Sequence, residues 1–477
     1  MAPPAQLDDY QYDAASFQWI SEKRAAPKLS SPTNTLRARN VRFTAACILQ
    51  ANGYHPPLVI PACLDDLEPL TVQHYLPRQL QPDIDWQPNF AKYGERVKRN
   101  KLRRAIPGLN TELPFGYPRE ISSPLVWSGP ELREQGEDKY VFHLTPAEIR
   151  EAEEALEAFK ASKQSMSSIS PLSFPLPNLG PRIASIANQL DFGCGFFVLR
   201  GFEPRNYSSS DNVILYAGIA SYVADKRGRQ DEHGNLLLHL IDLGSKVAPD
   251  NVRQAPYSNV AQPFHTDLGE IIGLYTLEQA ARGGRSKLAS TGKVYNELAA
   301  LRPDHVHTLQ KPDWVFDRFG QSPPYLTRPL LYRDAETNNI TLAFSRRLLT
   351  GSKVSPRSKG IPPMTEDQAE VLDAVHFTAE HHCISLDCKR GDMQFWNNLA
   401  LLHAREGFKD DPESGNVRHL LRLWLRRENS PWKSPEPLQG LLEEVYGENS
   451  GIAERWPLEP ILDYEHVTTR RRSSGHG

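Results

Sequence analysis

The first clear helix signal in the chain begins at Thr145. A proline follows it, and Glu148 comes three residues later, which is the order of an N-cap with a capping box. Four apolar side chains then recur on one helical face: Ile149, Ala152, Leu156 and Phe159. The pattern predicts an amphipathic helix that packs against the rest of the domain. Weaker signals predict four more helices: 181–190, 216–224, 294–301 and 365–377.

Short apolar runs separated by turn residues dominate the second half of the chain. They predict strands over the ranges 195–199, 271–277, 328–332, 340–344, 393–395 and 419–425. Many short strands with turn punctuation indicate a sandwich or a barrel. The predicted fold class is therefore α+β: a double-stranded β-helix (jelly-roll) core flanked by helices, with an irregular N-terminal extension.

The chain divides into three stretches. Residues 1–115 are rich in proline and turn residues and lack long periodic segments, which predicts the irregular extension. Residues 116–430 carry the helix and strand signals and are assigned to the barrel domain. Residues 431–477 form a C-terminal extension and tail. The arginines of 470–472 resemble a nuclear signal, but a run this short is better explained as a solvated terminus.

Four metal-binding side chains of the first stretch raise the question of a zinc site: Cys47, His55, Cys63 and His74. Structural zinc sites usually contain a closely spaced cysteine pair, which is absent from this stretch. Buried thiols and surface histidines therefore explain these residues better than zinc does.

Composition narrows the class of protein. With 39% hydrophobic and 24% charged residues, the 477-residue chain is typical of a soluble globular protein. A net charge of -3 gives no electrostatic reason to expect nucleic acid or an anionic membrane as a partner. Five scattered cysteines fit a reducing compartment, and the start of the chain is unlike a signal peptide. We expect a cytoplasmic protein that binds a small molecule; a homo-oligomer is compatible with these features.

The chemistry is suggested by an H-x-D sequence, His265 and Asp267, inside an apolar run. Side chains two apart on a strand project from the same face, so this imidazole and this carboxylate can point at one atom. They are two of the three ligands of a 2-His-1-carboxylate iron site. An apolar strand that carries His403 offers the third ligand. Taken singly, each of these residues is better explained as an ordinary polar residue.

Other histidines compete for this role, namely His305, His307, His376, His381, His382 and His419. Because His381 and His382 are adjacent, they would face opposite ways on a strand and make a poor chelating pair. His419 alternates with Arg418 and is expected to point away from the pocket.

Five segments carry a family resemblance: residues 193–202, 263–269, 283–286, 391–405 and 417–425. In this order they resemble the TauD/TfdA family of Fe(II)- and 2-oxoglutarate-dependent oxygenases, over roughly residues 120–428. The chain departs from the family pattern at Arg285, at Ser286 in place of threonine, and in a longer loop between His403 and Arg418.

The resemblance implies an enzyme that uses Fe(II), 2-oxoglutarate and O₂. His265, Asp267 and His403 would bind the metal, and Arg418 would bind the distal carboxylate of 2-oxoglutarate with help from Ser286. The planar guanidinium of an arginine matches such a carboxylate. Because Asp267 is retained, hydroxylation, desaturation or oxidative cyclisation is favoured over halogenation.

Three further residues occupy positions where the family contacts substrate: Arg422, Asn259 and Phe344. On a strand Arg418 and Arg422 share a face. Arg422 would then be an uncompensated charge in the pocket unless an anionic substrate paired with it. The expected substrate is a small anion, amino-acid-like, sulfonate or carboxylate. Phe344 is equally well explained as core.

Two alternatives stay open. A hydroxylase of the carnitine pathway would take a quaternary ammonium substrate and would need an aromatic cage. A non-catalytic barrel that only binds a small ligand predicts the loss of an iron ligand or of the cosubstrate arginine, and the sequence contains all of them.

Overall fold

The computed structural model combines many short strands with helices, and it describes residues 80–103, 110–447 and 451–468. The strands of this part of the chain are β1 (Val141–His143), β2 (Phe196–Arg200), β3 (Lys226–Gly228), β4 (Leu237–Ile241), β5 (Gln262–His265), β6 (Ile271–Glu278), β7 (Arg282–Gly283), β8 (Ser286–Ser290), β9 (Trp314–Asp317), β10 (Tyr325–Arg328), β11 (Leu331–Arg333), β12 (Ile340–Leu342), β13 (Ile384–Leu386), β14 (Met393–Asn397), β15 (Leu401–Arg405), β16 (Phe408–Lys409) and β17 (His419–Arg426).

Helices precede, interrupt and follow these strands. They are α1 (Phe90–Arg103), α2 (Gly129–Glu134), α3 (Pro146–Ser162), α4 (Leu179–Ile186), α5 (Gln189–Phe192), α6 (Ser209–Ala220), α7 (Gly244–Val247), α8 (Thr291–Leu301), α9 (Pro303–Leu309), α10 (Arg346–Thr350), α11 (Glu366–His382), α12 (Gln439–Tyr446) and α13 (Tyr464–Thr468). None of the helices in the described ranges combines the length and apolar character needed to cross a membrane.

Two sheets build the barrel. The larger has the strand order β1-β2-β14-β6-β17-β3, and β4 also pairs with β17. The smaller has the order β13-β8-β15-β5 and is antiparallel throughout. In the larger sheet only β1 and β2 run parallel among the described strand pairs. Two facing sheets that are antiparallel except at β1–β2 form the jelly-roll core that the sequence predicts.

Each face of the larger sheet buries its own apolar core, because successive side chains of a strand point to opposite faces. Met393 and Phe395 of β14 pack into an outer core with residues of α3, α4 and α6. Trp396 of the same strand belongs instead to an inner core that includes Leu288 of β8 and Ile384 of β13. The inner core therefore lies between the two sheets, and side chains of that face point into the barrel.

The helix predicted at Thr145 is confirmed as α3. The Thr145 side chain accepts from the backbone N–H of Glu148, and the Glu148 carboxylate accepts from the backbone N–H of Thr145. Its predicted apolar face is buried at Ala152, Leu156 and Phe159. The helix predicted over 181–190 is instead divided into α4 and α5, and the one over 365–377 extends to His382.

Two strand predictions need correction. Residues 328–332 do not form one strand: β10 ends at Arg328 and β11 starts at Leu331. Pro329 lies between them, and proline has no N–H to donate to a ladder. His381 and His382 lie at the end of helix α11, not on a strand, so the expectation that they face opposite ways on a strand is wrong.

The prediction that residues 1–115 lack long periodic segments is wrong for α1, which has 14 residues. This helix was missed because two of its buried side chains are polar: Arg96 and Asn100. Helix α11 supplies their partners. Arg96 Nη1 donates to Asp373 Oδ2 at 2.7 Å, and Asn100 Nδ2 donates to Glu370 Oε2 at 2.7 Å. The spacing of apolar residues does not reveal a helix whose buried face is partly polar, because the buried polar residues look like exposed ones in the sequence.

Residues after 430 also contribute to the barrel. Trp432, Leu442 and Val445 belong to the inner core, and the Tyr446 hydroxyl donates to the carbonyl of Leu425 at 2.9 Å. The domain boundaries at 115 and 430 stay a prediction. The zinc candidates Cys47, His55, Cys63 and His74, and the arginines of 470–472, lie outside the described residues.

Candidate metal and cosubstrate site

His265 and His403 lie directly opposite each other on the neighbouring strands β5 and β15. Their ring centroids are 4.1 Å apart. Asp267 follows His265 by two residues, and its Oδ1 lies 3.7 Å from His265 Nε2. One potential ligand atom from each of these three residues lies within 4.8 Å of the other two. The strands thus bring together the three residues that the sequence singled out as metal ligands.

The protonation of His265 is fixed by its surroundings. Its Nδ1 lies 2.9 Å from the carbonyl oxygen of Pro263, so Nδ1 carries the proton and Nε2 offers its lone pair. Burial lowers the pKa of this imidazole, against an opposing effect of the Asp267 charge. A neutral imidazole with a defined tautomer is the form that binds a metal ion.

Asn398 holds the turn that presents Asp267. Its Oδ1 accepts from the Asp267 backbone N–H at 3.2 Å. Its Nδ2 donates to the carbonyl oxygens of Asp267, at 2.7 Å, and of Gly269, at 2.6 Å. Asn398 thus makes three hydrogen bonds to the backbone of this turn, and they fix where the carboxylate emerges from the strand.

The carboxylate itself is held through one oxygen. Arg422 Nη1 donates to Asp267 Oδ2 at 2.7 Å, and Trp424 Nε1 donates to the same oxygen at 3.1 Å. The Arg422 Nε donates to Gln230 Oε1 at 2.7 Å. The expectation that Arg422 is an uncompensated charge is therefore wrong. It was wrong because Asp267, on another strand, supplies the counter-charge.

Arg418 is a buried cation with spare hydrogen-bonding capacity. Its Nε donates to the Gly284 carbonyl at 3.2 Å, and its guanidinium lies 5.2 Å from the ring centre of Phe408. Within the described part of the chain, Nη1 is buried and has no hydrogen-bond partner. Burial lowers the pKa of Arg418 to about 10. A buried donor without a partner is costly, and a ligand carboxylate would satisfy it.

Arg405 is a site residue that the sequence reasoning missed. It is buried two residues after His403 on β15, directly opposite Ser286 of β8. Its Nη2 donates to the Ser258 carbonyl at 2.7 Å, and its guanidinium lies 5.0 Å from the ring centre of Phe408. Arg405 and Arg418 therefore both contact the Phe408 ring. The period-two spacing from His403 was the signal that could have found it.

Of the other predicted substrate residues, Phe344 contacts the turn and Asn259 contacts strand β16. Phe344 is fully buried, and its carbonyl accepts from the Thr266 backbone N–H at 2.8 Å. Asn259 has an exposed side chain, and its carbonyl accepts from the Phe408 N–H at 3.1 Å. His419 contacts His239, with 2.7 Å between their ring nitrogens, and is not part of the trio.

Two imidazoles and one carboxylate with mutually close ligand atoms fit a mononuclear iron site of the 2-His-1-carboxylate type. A neutral His265 and the partnerless Nη1 of Arg418 fit the metal and an acidic cosubstrate respectively. The fold and this donor set together define a jelly-roll oxygenase.

Comparison with known proteins agrees with this class. The family model described as "Taurine catabolism dioxygenase TauD, TfdA family" matches residues 158–424. The chain therefore belongs to the TauD/TfdA family, whose members are non-haem dioxygenases dependent on Fe(II) and 2-oxoglutarate, and it is an enzyme of that kind.

Two relatives illustrate the similarity. The taurine hydroxylase-like protein SAT17 of Stachybotrys chartarum is 34% identical over 332 residues, which is 69% of this chain and 85% of that protein. The FR-33289 synthase of Streptomyces rubellomurinus is 26% identical over 261 residues, covering 54% of this chain and 76% of that protein. Among solved structures, an asparagine oxygenase in complex with Fe(II), 2S,3S-3-hydroxyasparagine and succinate shows 16% identity, a TM-score of 0.47, and coverage of 60% of this chain and 93% of its own.

Proposed function

We propose that His265, Asp267 and His403 bind Fe(II) in this dioxygenase. The observation that carries the proposal is their convergence: three side chains from two strands and one turn place ligand atoms within 4.8 Å of one another. Only three protein ligands are used, so half of an octahedral iron sphere is left for cosubstrate and O₂. With these bound, the iron supplies the oxidation of an unactivated C–H bond, with release of succinate and CO₂.

Arg418 is the proposed partner of the distal carboxylate of 2-oxoglutarate. The buried, partnerless Nη1 supports this role. Ser286 is the proposed second contact, because it begins β8 directly opposite Arg405, and Gly284, whose carbonyl accepts from Arg418, lies two residues before it. The protein's own contribution is to orient the cosubstrate and to exclude water from the barrel.

The proposed substrate is a small anion, amino-acid-like or a sulfonate, and charge supports this. Arg405, Arg418 and Arg422 are three buried cations at the site, against the carboxylates of Asp267 and the half-buried Asp410. Asp242 also faces Arg405, but it is already paired with Arg253 at 2.9 Å. Ferrous iron and the dianion of 2-oxoglutarate cancel each other, so a positive excess is left. An anionic substrate would neutralise it. The relative named as taurine hydroxylase-like also supports a small sulfonate or carboxylate.

Arg422, Asn259 and Phe344 remain the proposed substrate contacts. Arg422 would orient Asp267 through Nη1, and its charge would attract the substrate anion. Retention of Asp267 favours hydroxylation, desaturation or oxidative cyclisation. The sparse cysteines support a cytoplasmic location.

An anaerobic titration with Fe(II) and 2-oxoglutarate tests the iron assignment. The wild-type protein should develop the weak visible charge-transfer band of the iron–2-oxoglutarate complex. A His403→Ala variant should lose both the band and substrate-coupled 2-oxoglutarate turnover while keeping its unfolding midpoint. His307→Ala, a histidine of α9 outside the trio, is the matched control and should keep the band. A His403→Ala variant with stoichiometric iron and normal turnover would refute the ligand set.

A further inference from the structure

Gln394 carries a buried amide that the site described above does not use. Its side chain is 1% exposed. Within the described part of the chain, neither its Nε2 nor its Oε1 has a hydrogen-bond partner. Most buried polar side-chain atoms in proteins are hydrogen-bonded, because leaving one unpaired destabilises the fold. A primary amide with both ends unpaired therefore points to a ligand.

The strand pairing places Gln394 on the face of β14 that points into the barrel. It lies opposite Val198 of β2 on one side and Leu274 of β6 on the other. Both of these neighbours belong to the inner core, as does Trp396 two residues further along β14. Met393 and Phe395, on either side of Gln394, pack into the outer core. Gln394 is thus a polar residue in an otherwise apolar row.

Along the barrel, this row lies between the proposed metal ligands and Arg418. On one side the Trp396 ring lies beside His403, with 5.0 Å between ring centroids. On the other side, Thr276 follows Leu274 by two residues on β6, so it lies diagonal to Gln394. Thr276 also pairs with Leu420 of β17. Leu420 follows Arg418 by two residues. The Thr276 hydroxyl is also buried without a hydrogen-bond partner in the described residues. Gln394 and Thr276 thus form a polar patch on the inner face of the sheet, in the direction that leads from His403 toward Arg418.

We infer that Gln394 is a positioning residue for 2-oxoglutarate, and that its amide N–H donates to a carboxylate oxygen of the bound cosubstrate. The inference rests on the proposed iron and Arg418 assignments. This role explains why a buried amide without a hydrogen-bond partner occurs among apolar residues. The amide makes its hydrogen bond only when the cosubstrate is bound.

Anaerobic calorimetry of 2-oxoglutarate binding to the Fe(II)-loaded protein tests the inference. Gln394→Met preserves the length of the side chain and removes the amide. The Kd for 2-oxoglutarate should rise about tenfold or more, the scale of a hydrogen bond to a charged group. The urea midpoint of the metal-free variant should stay the same or rise, because the unpaired amide is gone. A merely structural role predicts a lower midpoint and an unchanged Kd.

Asn397→Leu is the matched control on the same strand. Its amide is buried on the opposite face and is satisfied, with Nδ2 donating to the Leu190 carbonyl at 3.2 Å and Oδ1 accepting from the Leu399 N–H at 2.9 Å. This variant should lose stability and keep the wild-type Kd.

Three results separate the possible failures. If the wild-type protein does not bind 2-oxoglutarate, the proposed function fails. If the wild type binds and Gln394→Met binds equally well, only the role of Gln394 is refuted. A Gln394→Met variant that raises the substrate KM at an unchanged 2-oxoglutarate Kd would assign the amide to the substrate, and this also refutes the inference.

Discussion

Arg422 donates from Nη1 to Oδ2 of Asp267 across 2.7 Å, in a pair whose side chains are 5% and 0% exposed. The guanidinium that family position associates with substrate thus also holds the carboxylate of the H-x-D. Strand β17 and the turn after β5 are joined through this contact. A change at Arg422 should therefore affect the metal end of the site as well as the substrate.

Arg422→Ala should weaken iron binding and destabilise the metal-free protein. Removal of one partner of a buried ion pair leaves the other charge unpaired, which costs roughly 3–5 kcal/mol. Fe(II) should recover part of this loss, because the ion itself pairs with Asp267. Urea unfolding with and without Fe(II), together with an iron Kd from chelator competition, measures both effects.

Arg285→Ala is the matched control for that prediction. Arg285 pairs with Glu406 at 2.9 Å, but its side chain is 58% exposed, so its loss should cost less than about 1 kcal/mol. Equal iron affinity in wild-type protein and Arg422→Ala would show that the contact with Asp267 has no part in metal binding. If substrate KM is unchanged too, the anion is held elsewhere and the quaternary ammonium alternative gains support.

The closeness of His265 and Asp267, two of the proposed metal ligands, could be predicted because its signal is local. His265 and Asp267 are two apart, and strand geometry alone places them together. Family resemblance was needed to select His403 from the other histidines. The Arg422–Asp267 pair could not be predicted, since it joins residues 155 positions apart. Arg405 could have been found from the strand period, but a buried arginine carries no apolar signal.

Part of the fold was predictable for a similar reason. The capping box at Thr145 and Glu148 is a local pattern, and α3 begins where that pattern places it. Helix α1 was missed because Arg96 and Asn100 are buried against carboxylates of α11. Burial of that kind depends on a partner some 270 residues away, and no window of sequence contains it.

Arg418→Lys should reduce the affinity for 2-oxoglutarate and leave iron binding intact. Lysine keeps the charge but cannot donate two parallel N–H hydrogen bonds to a carboxylate as the planar guanidinium does. Hydrogen bonds to charged groups contribute about 1.5–3 kcal/mol. The Kd from anaerobic titration is the measurement. Arg405→Lys, made in parallel, distinguishes the two cations that contact Phe408. A larger loss in Arg405→Lys than in Arg418→Lys would move the distal carboxylate to Arg405.

A histidine pair outside the site, buried His239 and half-buried His419, should make stability depend on pH. Burial, together with the charges of His239 and Arg418, lowers the pKa of His419 to about 3. Between that value and 6.5 the unfolded chain binds a proton that the folded chain excludes, so stability falls as pH falls through this window. For one group the slope is at most about 1.4 kcal/mol per pH unit.

His419→Gln should consequently lose less stability than wild-type protein between pH 6.5 and pH 4.5. Comparison of the two proteins isolates His419 from the carboxylates and other histidines that titrate in the same range. Urea midpoints measured above pH 7.5 are the internal control, because there neither state protonates this imidazole and the two curves should run parallel. Identical acid slopes would mean that His419 is accessible to protons in the folded protein.

Asn398 offers the sharpest test of how the site is positioned, because it touches the backbone around the proposed ligands and none of their metal-binding atoms. Asn398→Ala removes all three of its hydrogen bonds to Asp267 and Gly269. The turn should then hold Asp267 less precisely, and supporting contacts of this kind are typically worth 10–100-fold in metal affinity.

Asn397→Ala is the control, because it removes a neighbouring amide that is equally buried and is bonded to Leu190 and Leu399 instead. Both variants should lose a similar amount of stability, on the order of 1–3 kcal/mol. Only Asn398→Ala should raise the Fe(II) Kd measured by chelator competition, and equal Kd values in the two variants would show that the turn holds Asp267 without it.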